Sequence, residues 1–239
     1  MKVPKIRKEK TMNLRESKGN MYDWTDYTWN PIKGICPHQC SYCYMREFWP
    51  KMKEPRLVEG ALNGSDLSPV KEGSTVFVGS SIDVFASQIP DEWILKVLAH
   101  CNEFPDIKFV FQTKSPSRFY QFEKKIPAGS LLGITLETNR AFRGIWTDVC
   151  PWPGQRVQDF LLVEGFKKFI TIEPIIDFLF PVFITWILKV KPQFVNIGAD
   201  SKGHGLPEPT KEDVQQLIDA MRNQGIYVRE KDNLKRIMK

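Results

Sequence analysis

Residues 28–45 of the chain read TWNPIKGICPHQCSYCYM. Within this stretch, Cys36, Cys40 and Cys43 stand at C-x3-C-x2-C spacing. Thiolates this close together suit a metal ion or an iron–sulfur cluster better than a disulfide framework. A structural zinc site takes four ligands, and an all-cysteine site usually brings a second C-x2-C pair, which this sequence lacks. Three thiolates would instead leave one iron of a [4Fe-4S] cluster open to a substrate or cofactor.

The residues around this stretch leave a second interpretation open. A zinc knuckle would use the same three cysteines together with His38 or a more distant histidine. In that case the chain would be a non-catalytic nucleic-acid-binding protein rather than an enzyme. Metal analysis distinguishes the two, because a cluster brings several irons with sulfide and a knuckle brings one zinc.

Composition favours a single folded domain in a reducing compartment. The chain has 239 residues, of which 42% are hydrophobic, so it can bury a large core. Three of its five cysteines are clustered, and the basic N-terminus is not followed by an apolar core. These features predict a cytoplasmic protein without a secretory leader. The apolar run 169–190 contains Glu173, Asp177 and prolines, so we expect no membrane span.

The net charge of +6 is concentrated near the N-terminus. Residues 1–20 are basic and lack an apolar period, so they are predicted to form an arm ahead of a domain at 21–239. A basic arm can neutralise phosphates, although it is also a common solvated terminus. Nucleic acid is therefore one expected partner.

From residue 74 onwards, strand-like and helix-like segments alternate. This alternation predicts parallel strands joined by right-handed crossovers, with about six main strands from 27 to 198 and a terminal one. The chain is short for a full eight-unit barrel of about 250 residues. The predicted fold is therefore α/β, a single-domain partial (β/α)6 TIM-like barrel. Ser115 and Thr210 are the predicted N-caps of two of its helices.

Polar residues follow the predicted strands at the points where the strands end. In parallel α/β folds the chemistry gathers at the carboxyl ends of the strands, so these residues are expected to line one pocket. Each of them alone could instead be a capping or loop residue. The set includes Gly79, Ser80, Asp83, Thr113, Lys114, Glu137, Asn139 and Glu173.

The cysteine spacing, with Tyr42 directly before the third cysteine, resembles the cluster motif of the radical S-adenosylmethionine (radical SAM) superfamily. More narrowly, the chain is similar to a phage- and prophage-associated radical SAM family of unassigned function. The motifs that carry this likeness are TWNP, FVGSSIDVF, FQTKSP, GITLET, TIEP and NIGADS, in that order.

The resemblance implies a partial barrel, a [4Fe-4S] cluster on Cys36, Cys40 and Cys43, and S-adenosylmethionine as the second cofactor. It implies an electron donor such as flavodoxin or ferredoxin. It also implies roles for strand-end residues in binding S-adenosylmethionine. Gly79, Ser80 and Asp83 would meet its amino group, Thr113, Glu137, Asn139 and Glu173 its ribose and carboxylate, and Tyr42 its adenine.

The loop 140–155 is expected to lie at the active face. Its arginines and tryptophans suit a nucleotide, by phosphate pairing and base stacking. Cys150 in this loop could return a hydrogen atom to a substrate radical, or it could be an inert thiol under a proline-rich lid.

The predicted function is reductive cleavage of S-adenosylmethionine to a 5′-deoxyadenosyl radical, which abstracts hydrogen from an unidentified substrate. That substrate could be a nucleoside or nucleic acid. The other expectations that stay open are a peptide or small-metabolite substrate and the zinc-knuckle protein described above. The sequence does not specify an oligomeric state.

Overall fold

The computed structural model describes residues 13–17, 22–63 and 66–239. The predicted basic arm at 1–20 therefore lies mostly outside the described residues. Its described part includes a short strand, Leu14–Glu16, at the edge of the main sheet.

The structure contains ten strands and five α-helices in its described residues. The strands are β1 Leu14–Glu16, β2 Tyr27–Trp29, β3 Ile32–Lys33, β4 Arg56–Leu57, β5 Thr75–Val78, β6 Lys108–Thr113, β7 Leu131–Thr135, β8 Lys167–Ile172, β9 Phe194–Ile197 and β10 Tyr227–Glu230. The helices are α1 Asp91–Asn102, α2 Ser117–Phe122, α3 Pro153–Leu161, α4 Phe180–Val190 and α5 Lys211–Asn223. Short 3-10 helices include Arg46–Lys51, which follows the cysteines.

The main sheet has the order β1-β2-β5-β6-β7-β8-β9-β10. All neighbours from β2 to β10 pair in parallel, and only β1 is antiparallel. Each step from β5 to β10 crosses over through one α-helix. The predicted six strands plus a terminal one are thereby confirmed, as is a single α/β domain. β3 and β4 form a separate antiparallel hairpin beside the sheet.

One face of the sheet packs against the helices. Alternate strand residues such as Val76, Phe111 and Ile170 are buried there in the main apolar cluster with helix residues. This strand alternation is what the period-two pattern of the sequence requires.

Two predicted helix caps have different outcomes. Thr210 is confirmed, because its hydroxyl accepts a hydrogen bond from the Asp213 amide. Ser115 is wrong as a cap, because α2 begins only at Ser117, after Pro116, and the Ser115 hydroxyl makes no bond to it. The Ser115 amide instead donates to Thr113 Oγ1 at 2.8 Å, which fixes the chain where it leaves β6.

The other, inner face is covered by the segment just before β2. Tyr22 packs there with Phe77, Val110 and Phe169. A Cβ at Gly133 would lie 2.2 Å from Phe169 Cζ, so the lack of a side chain on β7 is what lets this ring lie flat on the sheet.

A polar layer lies on the inner face, nearer the carboxyl ends of the strands. Tyr22 Oη donates to Gln112 Oε1 at 2.6 Å and shares a 2.8 Å bond with Thr171 Oγ1. Gln112 Nε2 donates to Thr135 Oγ1 at 2.9 Å, and Asn196 Nδ2 to Thr171 Oγ1 at 3.1 Å. Neighbouring strands thus satisfy one another's buried polar groups across the inner face.

Among the described helices, none combines the length and the apolar character needed to cross a membrane. The apolar run 169–190 is divided between β8 and α4.

Candidate active site

A cavity of about 1800 Å³ opens at the carboxyl edge of the parallel strands. Small-molecule pockets are typically about 300–1,000 Å³, so this cavity has room for a cofactor together with a substrate. Its floor includes the polar layer of Gln112, Thr135 and Thr171. Its lining also includes the predicted site residues Cys36, Cys40, Tyr42, Cys43, Gly79, Ser80, Asp83, Thr113 and Glu173.

The cysteine loop, residues 34–45, is coiled into consecutive turns on the cavity wall. The carbonyls of Cys36, Cys40 and Cys43 each accept a hydrogen bond from the amide three residues further on, at 3.2, 3.1 and 3.0 Å. Gln39 adopts a left-handed φ of 44°, which completes the first turn. The three cysteines are free thiols that all border the cavity.

The surroundings shift the pKa values of the three thiols differently. A hydrogen bond with Cys150 is the largest influence on Cys40 and, together with the charge of Lys114, lowers its pKa to about 6. Burial raises the pKa of Cys36 to about 12 and also raises the pKa of Cys43. Cys40 is thus the thiol that most readily becomes a thiolate, the form that binds metals.

The donor set fits an iron–sulfur cluster. All three potential ligands are sulfur, which selects iron–sulfur clusters or soft metals over magnesium or calcium. In the described residues, no three His, Cys, Asp or Glu side chains converge closely enough to hold a single metal ion. A multi-iron cluster does not need such convergence, because each cysteine binds a different iron.

Asp83 fastens the cysteine loop to the sheet. One carboxylate oxygen lies 2.9 Å from His38 Nε2 and accepts bonds from Thr113 Oγ1 and the Lys114 amide at 2.9 and 2.8 Å. The other accepts from the Phe85 amide at 3.0 Å. Burial acts to raise the pKa of Asp83, but the hydrogen bond and charge of His38 outweigh it and the pKa is lowered. A cofactor that bound to the Asp83 carboxylate would therefore have to share it with these four hydrogen-bond partners.

Glu137 forms a buried ion pair with Arg156 behind the cysteine loop. Arg156 Nη1 donates to both carboxylate oxygens at 3.1 and 2.8 Å, and both side chains are 0% exposed. Tyr42 Oη also donates to Glu137, and Lys114 Nζ lies 3.6 Å from it. Burial acts to raise the pKa of Glu137, but the charges of Arg156 and Lys114 lower it overall. Glu137 does not border the cavity, whereas Tyr42 and Lys114 do.

The turn after β5 borders the cavity. Gly79 has a left-handed φ of 83°, and a Cβ there would lie 2.5 Å from Val84 Cγ2, so the turn requires glycine. Asn30, in the TWNP motif, donates to Ser80 Oγ at 3.0 Å and accepts from the Ser81 amide at 3.0 Å. The end of β2 thereby fixes the conformation of this turn.

Glu173 borders the cavity at the end of β8. Its carboxylate accepts from Lys231 Nζ at 2.7 Å and from Asn233 Nδ2 at 2.8 Å. A Cβ at Gly198 would come within 3.0 Å of Glu173 Oε1, so this carboxylate rests on the backbone of the strand next to it.

Asn139 lies outside the cavity, unlike the other predicted cofactor contacts apart from Glu137. Its side-chain amide exchanges bonds of 2.9 and 2.8 Å with the backbone of Leu179 at the start of α4. Arg140 pairs with Asp177 at 2.6 Å. The prediction that the 140–155 loop faces the active site is wrong, because none of its residues borders the cavity.

The 140–155 loop instead packs behind the cysteine loop. The carbonyl of Ile145 accepts a hydrogen bond from the cysteine-loop backbone at 3.1 Å. Cys150 is 6% exposed, accepts a bond from Arg156 Nη2 at 3.3 Å and packs in one apolar cluster with Cys40. Cys150 therefore lies behind Cys40 rather than in the cavity.

Three residues around the cysteines were not predicted to contact the cluster or the cofactor: Asn30, His38, which was considered only as a zinc ligand, and Arg156. Lys114 was predicted to line the pocket, as one of the polar residues at the strand ends. Asn30 belongs to the TWNP motif, which was the sequence feature that could have identified it. The sequence indicated the burial of Arg156 only weakly, through its position on the same face of α3 as the buried residues Pro153 and Phe160. Nothing in the sequence indicated that His38 bonds to Asp83 rather than binding a metal or lying free in a loop.

A family model described as "Protein of unknown function (DUF5131)" matches residues 20–227. The chain matches no curated protein.

Among solved structures, the chain is similar to spore photoproduct lyase complexed with dinucleoside spore photoproduct, with a TM-score of 0.66 and 13% identity over 92% of this chain and 79% of that one. A mutant of that lyase with bound AdoMet and dinucleoside spore photoproduct has a TM-score of 0.61 and 13% identity, over 90% of this chain and 65% of the lyase chain. SuiB of Streptococcus suis, bound to the precursor peptide SuiA, has a TM-score of 0.58 and 12% identity, over 85% of this chain and 48% of the SuiB chain. This chain therefore spans about half the length of SuiB. These likenesses concern the fold alone, which is similar to that of radical SAM TIM-like barrel proteins.

Proposed function

We propose that this chain, which belongs to the family described as "Protein of unknown function (DUF5131)", is a radical SAM enzyme. In this proposal Cys36, Cys40 and Cys43 hold a [4Fe-4S] cluster, and the cavity beside them holds S-adenosylmethionine. The observation that carries the proposal is that all three thiols border one large cavity at the carboxyl edge of a parallel sheet. It is supported by the fold, which is similar to that of structures with bound S-adenosylmethionine.

When bound, the cluster and S-adenosylmethionine together supply one-electron cleavage of the sulfonium to a 5′-deoxyadenosyl radical that abstracts a substrate hydrogen atom. The chain itself must bind and orient these groups and keep water away. Asp83 keeps the cysteine loop in place through His38, because that bond is 2.9 Å long and nearly solvent-free. The bonds of Asp83 link the loop to the ends of β5 and β6.

Lys114 supplies positive charge where the sulfur ligands would carry negative charge. Burial acts to lower its pKa, but the charges of Cys40 and Glu137 outweigh burial and raise it, so the ammonium stays protonated. Its Nζ lies 5.6 Å from the centre of the Tyr42 ring. In our proposal Lys114 balances the charge of the cysteine ligands, and Glu137 positions it.

The contacts to S-adenosylmethionine are assigned within the same cavity wall. Gly79 and Ser80 would offer backbone groups to the amino group, and Tyr42 its ring to the adenine. Thr113 and Glu173 border the cavity and would reach the polar groups of ribose and carboxylate. Glu137 and Asn139 lie outside the wall, so we assign them to positioning rather than contact. Cys150, behind Cys40, is likewise assigned to positioning.

The proposal does not identify the substrate from which the hydrogen atom is abstracted, and two chemical classes remain open. One structural neighbour was bound to a dinucleoside and another to a precursor peptide. The electron would come from a small redox protein such as flavodoxin or ferredoxin.

The direct test is formation of 5′-deoxyadenosine. Anaerobically reconstituted wild-type protein, reduced with dithionite and given S-adenosylmethionine, should release it, and the Cys36→Ala variant should not. Cys101→Ala is the matched control, because Cys101 is a fully buried cysteine of the apolar core and does not border the cavity. The proposal fails if the wild type yields no 5′-deoxyadenosine, or if the Cys36→Ala variant yields as much as the wild type.

A further inference from the structure

Four basic side chains from β1 and from the region of β3 and β4 line the cavity. Arg15 is on β1, Lys33 on β3, Arg56 on β4 and Lys53 just before β4. All four, which we call the cationic rim, border the cavity. Lys33 and Arg56 are direct partners in the β3–β4 register, so they project from the same face of the hairpin.

The cationic rim is not neutralised by ion pairing. In the part of the chain that the structure describes, none of its four side chains forms an ion pair, although Glu16 and Glu54 border the same cavity. Burial lowers the pKa of Lys33, and the like charges of Arg15 and Arg56 lower it further. Arg15 and Arg56 are thus each close enough to Lys33 to repel it.

Several cations away from the cavity do form ion pairs, unlike those of the cationic rim. Lys96 lies 2.9 Å from Glu92, and Arg222 lies 2.7 Å from Glu230. Asp66 is the acid whose charge opposes the repulsion at the rim, but its carboxylate already accepts a side-chain hydrogen bond of 2.9 Å. Unpaired like charges at a cavity mouth attract an anionic ligand.

Two exposed aromatic rings border the same cavity. Tyr44 is 42% exposed and Phe48 is 48% exposed, and the Tyr44 hydroxyl is fixed by a bond to the Ser80 carbonyl. A basic groove combined with accessible aromatic rings is the arrangement that binds single-stranded nucleic acid, because phosphates pair with the cations and bases stack on the rings.

We propose that the cationic rim and the Tyr44 and Phe48 rings bind a single-stranded nucleic acid, with one nucleotide directed into the cavity. The fate of that nucleotide rests on the proposed radical SAM function, but the binding does not. An acidic peptide would also be attracted to the cations, but it would gain nothing from the aromatic rings.

The test is fluorescence anisotropy of a labelled single-stranded oligothymidylate with the full-length protein, without S-adenosylmethionine. The Lys33→Gln/Arg56→Gln variant should bind on the order of tenfold more weakly. The log–log slope of its salt dependence should fall by about 1.4, because each of the two phosphates that it no longer neutralises accounts for about 0.7. The Lys96→Gln/Arg222→Gln variant also removes one lysine and one arginine charge, but at positions away from the cavity, so it should bind like the wild type. Phe48→Ala should weaken binding about fivefold or more. Tyr120→Ala, which removes an exposed ring from α2, should not.

Several outcomes would overturn this proposal. They are no oligonucleotide binding by the wild type, equal losses in the rim and control variants, or a poly-glutamate peptide that competes as well as the oligonucleotide. Iron content, measured on the same samples after anaerobic reconstitution, separates the two proposals. If the protein binds the oligonucleotide but contains no iron, the nucleic-acid site is supported and the radical SAM function fails. If it contains iron but does not bind the oligonucleotide, the radical SAM function is supported and the nucleic-acid site fails.

Discussion

Replacing Arg156 with methionine should destabilise the protein strongly. The side chain is 0% exposed and donates to Glu137, to the Thr135 carbonyl at 2.9 Å and to the Pro151 carbonyl at 2.6 Å. Removing one member of a buried ion pair costs about 3–5 kcal/mol, because the other charge is left buried and uncompensated. Lys114 remains 3.6 Å from Glu137, so we expect the lower end of this range, about 3 kcal/mol.

The measurement is urea unfolding of the wild type, Arg156→Met and the double variant Glu137→Gln/Arg156→Met. The double variant removes the stranded charge, so it should recover about 1 kcal/mol or more relative to Arg156→Met. A domain of this kind has a free energy of unfolding of about 5–15 kcal/mol, so a 3 kcal/mol loss is readily measured.

The effect of Arg156→Met should also depend on pH. Arg156, Lys114 and the Tyr42 hydroxyl face Glu137, and the folded wild type holds the pKa of Glu137 below its ordinary value of 4.5. A lowered pKa contributes stability that is present above the unfolded value and is lost as pH falls through the folded one. Without Arg156, burial shifts this pKa upward, so Glu137 becomes protonated at a higher pH. The difference from wild type should therefore shrink as pH falls from neutrality towards 4.5.

Two results would refute this reasoning. One is a loss below about 1 kcal/mol at neutral pH, which is the size expected of an exposed pair. The other is a difference from wild type that grows on acidification.

Three further changes have defined outcomes. Gly79→Ala should destabilise the protein by about 1–3 kcal/mol in urea unfolding, because its φ of 83° and the 2.5 Å approach to a neighbouring side chain leave no room for a Cβ; wild-type stability would contradict this. Tyr22→Phe should cost about 1–3 kcal/mol, because Gln112 and Thr171 lose a buried partner, and a neutral change would mean that water replaces the hydroxyl. Cys150→Ala should keep the iron content of the wild type after reconstitution, because Cys150 lies behind the cavity wall, and loss of iron would show that the cluster depends on Cys150.

The alternation of strands and helices was readable from the sequence because it depends on local pattern. β5 to β10 and the five α-helices are long enough for period-two or helical spacing to dominate. β1, β3 and β4 have only two or three residues each, too few to show any period, and they are defined by pairing with distant partners. The cationic rim could not be predicted for this reason, since it exists only once β1 and the β3–β4 hairpin reach the cavity.

The site was predicted where a residue's role follows from its position at a strand end. Gly79, Asp83, Thr113 and Glu173 are at the cavity because parallel strands bring their carboxyl ends to one edge. Glu137 also follows a strand, but Arg156 draws it away from the cavity. Arg156 comes from a helix that the sequence shows only as amphipathic, and burial of its charge depends on tertiary partners.

The most direct measurement of the central claim is the iron and sulfide content of anaerobically reconstituted protein, with electronic absorption recorded on the same samples. The account predicts about four irons and four sulfides per wild-type chain. It predicts their loss in Cys40→Ser and their retention in Cys101→Ala. A single bound zinc, or iron that survives the Cys40→Ser change, would contradict it.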